Sequence, residues 1–247
     1  IVGIGIDFTS STMIVCDENF IPLHWNSHYR RDPHAYVKLW KHHGAVEEAQ
    51  ALYTAAQKNL EKHLGSYGFN VSSEWMIPKM MELMKDAPHI LEDATYVMEA
   101  GDWIVSLLIG KNVRSECALG FKTFWNEEIG FDEQLLFEVD PSLPQLVLNK
   151  MRGNIVKLGD RAGRLSQEGS LLTKLPPGIA VAPAIIDAHA AVLGIGAVHN
   201  HQLTMVMGTS TCHLMLHDEH KKIPGISGSV KDGIVPGLYA YEAGQSA

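Results

Sequence analysis

Asp187 stands at a junction. It ends the apolar run Ala180-Val181-Ala182-Pro183-Ala184-Ile185-Ile186 and opens a small-residue stretch, Ala188 to Ala197, that reads as a helix. An Asp at a strand end and helix start can cap the helix. It can equally face the crevice beyond the carboxyl ends of strands, where open α/β sheets place their ligands. Further on, two apolar runs, Thr204 to Met207 and Cys212 to Leu216, flank Gly208-Thr209-Ser210. That pattern predicts a hairpin with a small, donor-rich turn. Glycine permits close approach of a phosphate to such a backbone, although the triplet also serves as an ordinary tight turn. One group able to take a proton and one loop able to hold a phosphate suit phosphoryl transfer, which asks for positioning and charge stabilisation rather than covalent help.

Those residues need elements to hold them. Ile1 to Asp7 and Thr12 to Cys16 are apolar runs that together predict a hairpin, with Asp17-Glu18-Asn19 as a turn. Asp7-Phe8-Thr9-Ser10-Ser11-Thr12 does not qualify as a phosphate loop, because Thr9 stands where close backbone approach needs glycine. Asp32 and Pro33 have the types of an N-cap and first helical position, predicting a helix toward His43. Trp40 within it is either core or a platform for a sugar. Val46 to Leu64 carries an apolar face at Ala49, Leu52, Tyr53, Ala56, Leu60 and Leu64, predicting one amphipathic helix. Further helices are expected from Ser72 to about Lys85, from Asp102 to Ile109 with Gly110 as the stop, over Asp132 to Val139, and from Ser166 to Leu175. A strand is expected over Thr95 to Met98. After about His199 the pattern turns to strand pairs, closing with Ser227 to Lys231 and Leu238 to Tyr241. Alternating strands and helices followed by strand pairs indicate α/β architecture with a mixed sheet.

Composition excludes several classes. The formal charge of −8 over 247 residues disfavours nonspecific nucleic-acid binding, which depends on Lys and Arg neutralising phosphates. No apolar run is long enough to span a bilayer. Cys16, Cys117 and Cys212 are widely spaced, as free thiols in a reducing compartment would be. There is no Gly-x4-Gly-Lys-Ser/Thr loop and no Gly-x-Gly-x-x-Gly after a strand. His213, His217 and His220 lie close together, but structural zinc takes four N or S ligands, so they read as strand and turn histidines and no metal ligands are assigned. Ser210 and Ser246 lack the strand–turn–helix context of an acyl-transfer nucleophile.

Ile186-Asp187-Ala188-His189-Ala190-Ala191, Met207-Gly208-Thr209-Ser210 and Tyr241-Glu242-Ala243-Gly244-Gln245-Ser246-Ala247 resemble the FGGY carbohydrate kinases. Supporting stretches are Gly5-Ile6-Asp7-Phe8-Thr9-Ser10-Ser11-Thr12, Lys38-Leu39-Trp40-Lys41-His42-His43, Ser72-Ser73-Glu74-Trp75-Met76-Ile77-Pro78-Lys79 and Gly120-Phe121-Lys122. The resemblance runs the length of the chain but covers only part of such an enzyme, whose opening Gly-x-Asp-x-Gly-Thr phosphate loop is absent here. It implies the actin-like, ribonuclease-H-like two-lobe sugar kinase fold, with mixed sheets and flanking helices. The expected division is a sugar-binding lobe over 1–198 and the start of a nucleotide-binding lobe over 199–247, where Glu242 would begin a helix.

The implied activity is phosphoryl transfer from ATP, with Mg²⁺, to a hydroxyl of a ketopentose, L-ribulose first, as in L-arabinose catabolism. A xylulose or glycerol kinase of the same family is the alternative, as is a catalytically silent sugar-binding module. Asp187 would be the base, a role compatible with helix capping. Ser10, Trp40, Lys122, Asp187 and Glu242 would bind the sugar, and Gly208, Thr209 and Ser210 the ATP phosphates. A lone Lys among aromatics can also snorkel to the surface; the resemblance makes Lys122 a hydroxyl-binding group. A cytoplasmic enzyme with sugar and ATP as partners and a homodimeric assembly are the remaining expectations. With the first phosphate loop missing, this stretch alone is expected to be inactive as a kinase.

Overall fold

The computed structural model describes residues 1–208 and 210–245. Its opening strands do not pair with the next run. Gly3–Ile4 lies parallel to Ala180–Val181, which Gly163–Arg164 flanks antiparallel, and Asp7–Phe8 lies parallel to Ile185–Ile186. Met13–Cys16 instead pairs antiparallel with Tyr96–Glu99, Met13 opposite Glu99. The expected hairpin is therefore replaced by a turn at Thr9–Thr12 that hands the chain from one sheet to another. Every residue of Met13–Cys16 is buried, and such a strand takes its partners from distant apolar segments rather than from its neighbour in sequence. This exchange brings Ser10, near one end of the chain, beside Asp187.

Two helices differ from the sequence reading. Asp32 does cap, accepting from the His34 N–H at 2.9 Å, but only the single turn Pro33–Ala35 follows. Lys38 then pairs with Met13 through both backbone groups, at 2.9 and 3.0 Å, so the segment continues extended. The 46–64 stretch is broken into Val46–Ala56, a tight turn over Gln57–Asn59, and Leu60–Leu64. Asn59 causes the break: its side chain accepts from the Lys62 N–H and starts a new helix, as Asn favours caps over helix interiors.

The other helices form near the expected places. They cover Met76–Asp86, Ala100–Ile109 stopped by Gly110 at φ 66°, Glu133–Val139 capped by Asp132, and Gln167–Thr173 capped by Ser166. The 203–245 region makes one antiparallel sheet, ordered Leu203–Met207, Thr211–His217, Tyr239–Gln245, Gly228–Lys231. Glu242 lies in that sheet opposite Leu214, not at a helix start. The four closing strands thus use the pairing groups that a helix would have needed.

The largest apolar core gathers the 46–56 and 76–86 helices through Leu52, Met76, Met80 and Leu83, all fully buried. A second core joins the helix Glu116–Lys122 to the four-stranded sheet through Cys117, Phe121, Leu214, Leu216, Val230 and Ala240. A Cβ on Gly120 would stand 2.5 Å from Val230 Cγ1, so the missing side chain sets how closely that helix docks. Among the described residues no helix is long and apolar enough to cross a membrane.

Candidate active site

Asp187 is the first residue of the helix Asp187–Gly194, directly after the strand Ile185–Ile186. Its carboxylate is exposed, and Oδ1 accepts from the Ala188 N–H at 2.8 Å. One oxygen thus steadies the helix start, leaving the other for a ligand. Two residues on, His189 points the opposite way and is fully buried, as the helical period requires.

Lys122 ends the helix Glu116–Lys122. Its ammonium donates to Ser10 Oγ at 2.8 Å and pairs with Glu242 Oε1 at 2.9 Å. The other Glu242 oxygen takes a bond from His189 Nε2 at 2.9 Å, and His189 Nδ1 lies 3.3 Å from Cys117 Sγ. A carboxylate only accepts, so Nε2–H donates to it, and Nδ1 receives the Cys117 S–H. The result is a continuous chain from Ser10 through Lys122, Glu242 and His189 to Cys117.

The electrostatics follow from that chain. Burial by itself would raise the Glu242 carboxyl, but Lys122 and His189 outweigh it and hold it well below the usual carboxylate range. Burial pulls the Lys122 ammonium down, and Glu242 more than offsets this, leaving it above its ordinary value. Burial pushes the Cys117 thiol up to about 12, so it stays protonated. The site therefore presents a fixed cation and a fixed anion side by side, a pair suited to gripping neighbouring hydroxyls through charge-assisted bonds.

A cavity of 210 Å³ collects these groups, with Ser10, Trp40, Lys122, Asp187, Ser210 and Glu242 all in its wall. Trp40 is 42% exposed, a cavity wall rather than core. Glu74 and Cys212 also line the cavity and were not singled out from sequence; Glu74 stands just before the Met76–Asp86 helix, where its charge read as a simple helix-opening residue. His189 was likewise missed as a working residue, although its one signal, an imidazole two residues after Asp187 in an Ala-rich helix, was in plain sight. Gly208 is exposed, and its N–H donates to Ser210 O at 2.9 Å, so the turn itself occupies that donor. Thr209 lies outside the described residues. Ser210 is exposed and shares the cavity with Asp187. Among the described residues no group of three or more His, Cys, Asp or Glu side chains gathers as a metal site.

Over all 247 residues the chain is 57% identical to the ribulokinase of Staphylococcus aureus strain MRSA252. In sequence the chain is thus similar to one part of a ribulokinase, and its structural neighbours are FGGY sugar kinases. It spans 45% of that relative's length. In fold it is similar to the xylulose kinase of Rhodospirillum rubrum, with a TM-score of 0.73 at 17% identity over 100% of this chain and 46% of the other. It is similar to the same degree to Plasmodium falciparum glycerol kinase with ADP, with a TM-score of 0.73 at 15% identity over 99% of this chain and 46% of the other. No family model matches the chain. The fold is thus the actin-like, ribonuclease-H-like sugar kinase fold, mixed α/β with several small sheets.

Proposed function

We propose that the whole protein phosphorylates a ketopentose at the expense of ATP, with L-ribulose as the sugar and L-ribulose 5-phosphate as the product. The observation that carries this reading is the single cavity where Asp187 meets the Ser10–Lys122–Glu242 cluster and Ser210. Its 210 Å³ falls below the ~300–1,000 Å³ of sites for drug-sized ligands, the scale of one small sugar. The named ribulokinase at 57% identity supports the choice of sugar.

In this reading Lys122 and Glu242 hold adjacent sugar hydroxyls, Ser10 keeps Lys122 in place, and Trp40 closes one side. Asp187 takes the proton of the attacking hydroxyl through the oxygen not bound to Ala188. ATP with Mg²⁺ supplies the phosphoryl group, and Ser210 would meet it at the cavity edge. We assign 1–198 to the sugar lobe and 199–247 to the start of the nucleotide lobe, and the cytoplasm as the compartment, in keeping with three free thiols.

The test is coupled ADP release by the whole protein across L-ribulose, D-xylulose and glycerol. L-Ribulose should give the highest kcat/KM. Asp187→Asn should lower turnover by about 10²-fold or more, within the range general-base catalysis supplies, while the KM for sugar changes little. A variant that keeps most of its turnover would remove Asp187 from the mechanism.

A further inference from the structure

Two buried ionisable side chains outside the cavity wall hold one of its lining residues, Ser11, by the backbone. Lys79, on the Met76–Asp86 helix, is fully buried, and Glu99, at the end of Tyr96–Glu99, is 3% exposed. Lys79 donates to the backbone carbonyl of Ser11 at 2.6 Å and to that of Leu39 at 2.8 Å. Glu99 Oε1 accepts the Ser11 N–H at 3.0 Å. Ser11 is 2% exposed and holds a φ of 58°, a left-handed conformation that a non-glycine residue keeps only when its surroundings impose it. Here both of its backbone groups are held by buried ionisable side chains from two different elements.

The neighbours of these anchor points matter more than the anchors. Ser11 follows Ser10, whose Oγ meets Lys122. Leu39 precedes Trp40, the aromatic wall of the cavity. One buried ammonium therefore pins two separate backbone segments, each one residue from a cavity-lining side chain. An ammonium is costly to bury, and most other buried positions of this helix, Met76, Ile77, Met80 and Leu83 among them, are apolar.

We propose that Lys79 and Glu99 are positioning residues for the sugar pocket, fixing the Ser10 turn and the Trp40 segment relative to each other. This rests on the reading of the cavity as the sugar site. Positioning by a shell beneath the contact groups sets affinity without touching the ligand, and small misplacements of such groups carry large kinetic effects.

The test uses the whole protein and the variants Lys79→Met, Glu99→Ala and Glu99→Gln. Lys79→Met and Glu99→Ala should raise the KM for sugar by about 10- to 100-fold, leaving the KM for ATP within about twofold. Glu99→Gln keeps the accepting oxygen and should stay near the wild type. Equal rises in both KM values, or an unchanged sugar KM in a cooperatively folding variant, would overturn the proposal. Should Lys79→Met fail to fold, the Glu99→Ala and Glu99→Gln pair carries the same comparison. Hydrogen exchange provides a readout that needs no activity. Amides of residues 9–13 and 38–41 should exchange faster in Lys79→Met and Glu99→Ala, and not in Glu99→Gln. Unchanged exchange in both segments would also overturn it. A wild type that releases no ADP with any of the sugars would defeat the proposed function alone, and the exchange result would then decide the positioning role.

Discussion

Replacing Glu242 with Leu should be repaired in stability, but not in sugar binding, by also replacing Lys122 with Met. Glu242 is 5% exposed and neutralises Lys122 at 2.9 Å. Glu242→Leu keeps similar volume but strands the ammonium, and breaking a buried pair from one side costs about 3–5 kcal/mol. Lys122→Met strands the carboxylate and should cost a similar amount. Were the two independent, the double variant would lose about 6–10 kcal/mol. It should lose far less, because neither charge remains. What is left unpaired is Ser10 Oγ and His189 Nε2, at about 1 kcal/mol each, so the double variant should sit about 2 kcal/mol below wild type and above either single one. Sugar affinity behaves differently, since each charged group lost removes about 1.5–3 kcal/mol of hydroxyl binding, or about 10- to 150-fold in KM. Urea unfolding of the four proteins and the sugar KM from ADP release measure both quantities. A double variant as unstable as the sum of the singles would mean that Lys122 and Glu242 do not act as a pair.

Three further outcomes are expected. Burial, and the charge of Asp102, push Glu99 from 4.5 up to about 8, and burial pushes Asp102 from 3.8 up to about 7. Groups raised on folding stabilise fully below their ordinary values and lose that contribution as pH climbs through the folded ones. The urea midpoint should therefore fall between about pH 5 and pH 8 through these two groups, and Glu99→Gln should flatten the slope; an unchanged slope would refute the assignment. Gly120→Ala drives a Cβ to within 2.5 Å of Val230 Cγ1 and should cost about 1–3 kcal/mol, much of it recovered by Val230→Ala in the same unfolding assay. Trp40→Ala should weaken sugar binding with little loss of stability, because a side chain 42% exposed contributes little to the core; a large drop in melting temperature with unchanged sugar KM would make Trp40 structural after all.

The sequence was most readable where the signal is local. Gly110, Asp132 and Ser166 act through bonds within four residues, and the helices they bound fall close to the expected places. The four closing strands carried enough β-branched and aromatic character to be seen one by one. What was not legible was partnership across distance. Met13–Cys16 reads as half of a hairpin, and nothing in its own residues names Tyr96–Glu99 as its mate. Lys38, within a stretch that looks helical after Asp32-Pro33, is extended because Met13 claims both of its backbone groups. The candidate site divides the same way. The residues carried by motif likeness, Ser10, Trp40, Lys122, Asp187, Ser210 and Glu242, line one cavity. His189, Lys79 and Glu99 work through groups 53, 68 and 88 positions away, respectively, and no spacing rule reaches that far.

Cys212 gives the cavity wall an unplanned use. The thiol is half-buried beside Lys122, Asp187 and Glu242, and burial raises it above its ordinary value. Cys16 and Cys117 are fully buried and pushed to about 12 by that burial, which keeps both protonated and chemically quiet, since the thiolate is the form that reacts. An alkylating reagent thus meets one accessible thiol in this stretch, and on the proposed reading a bound sugar would cover it. The rate of labelling becomes a count of empty pockets, readable by mass with no ATP present and no residue changed.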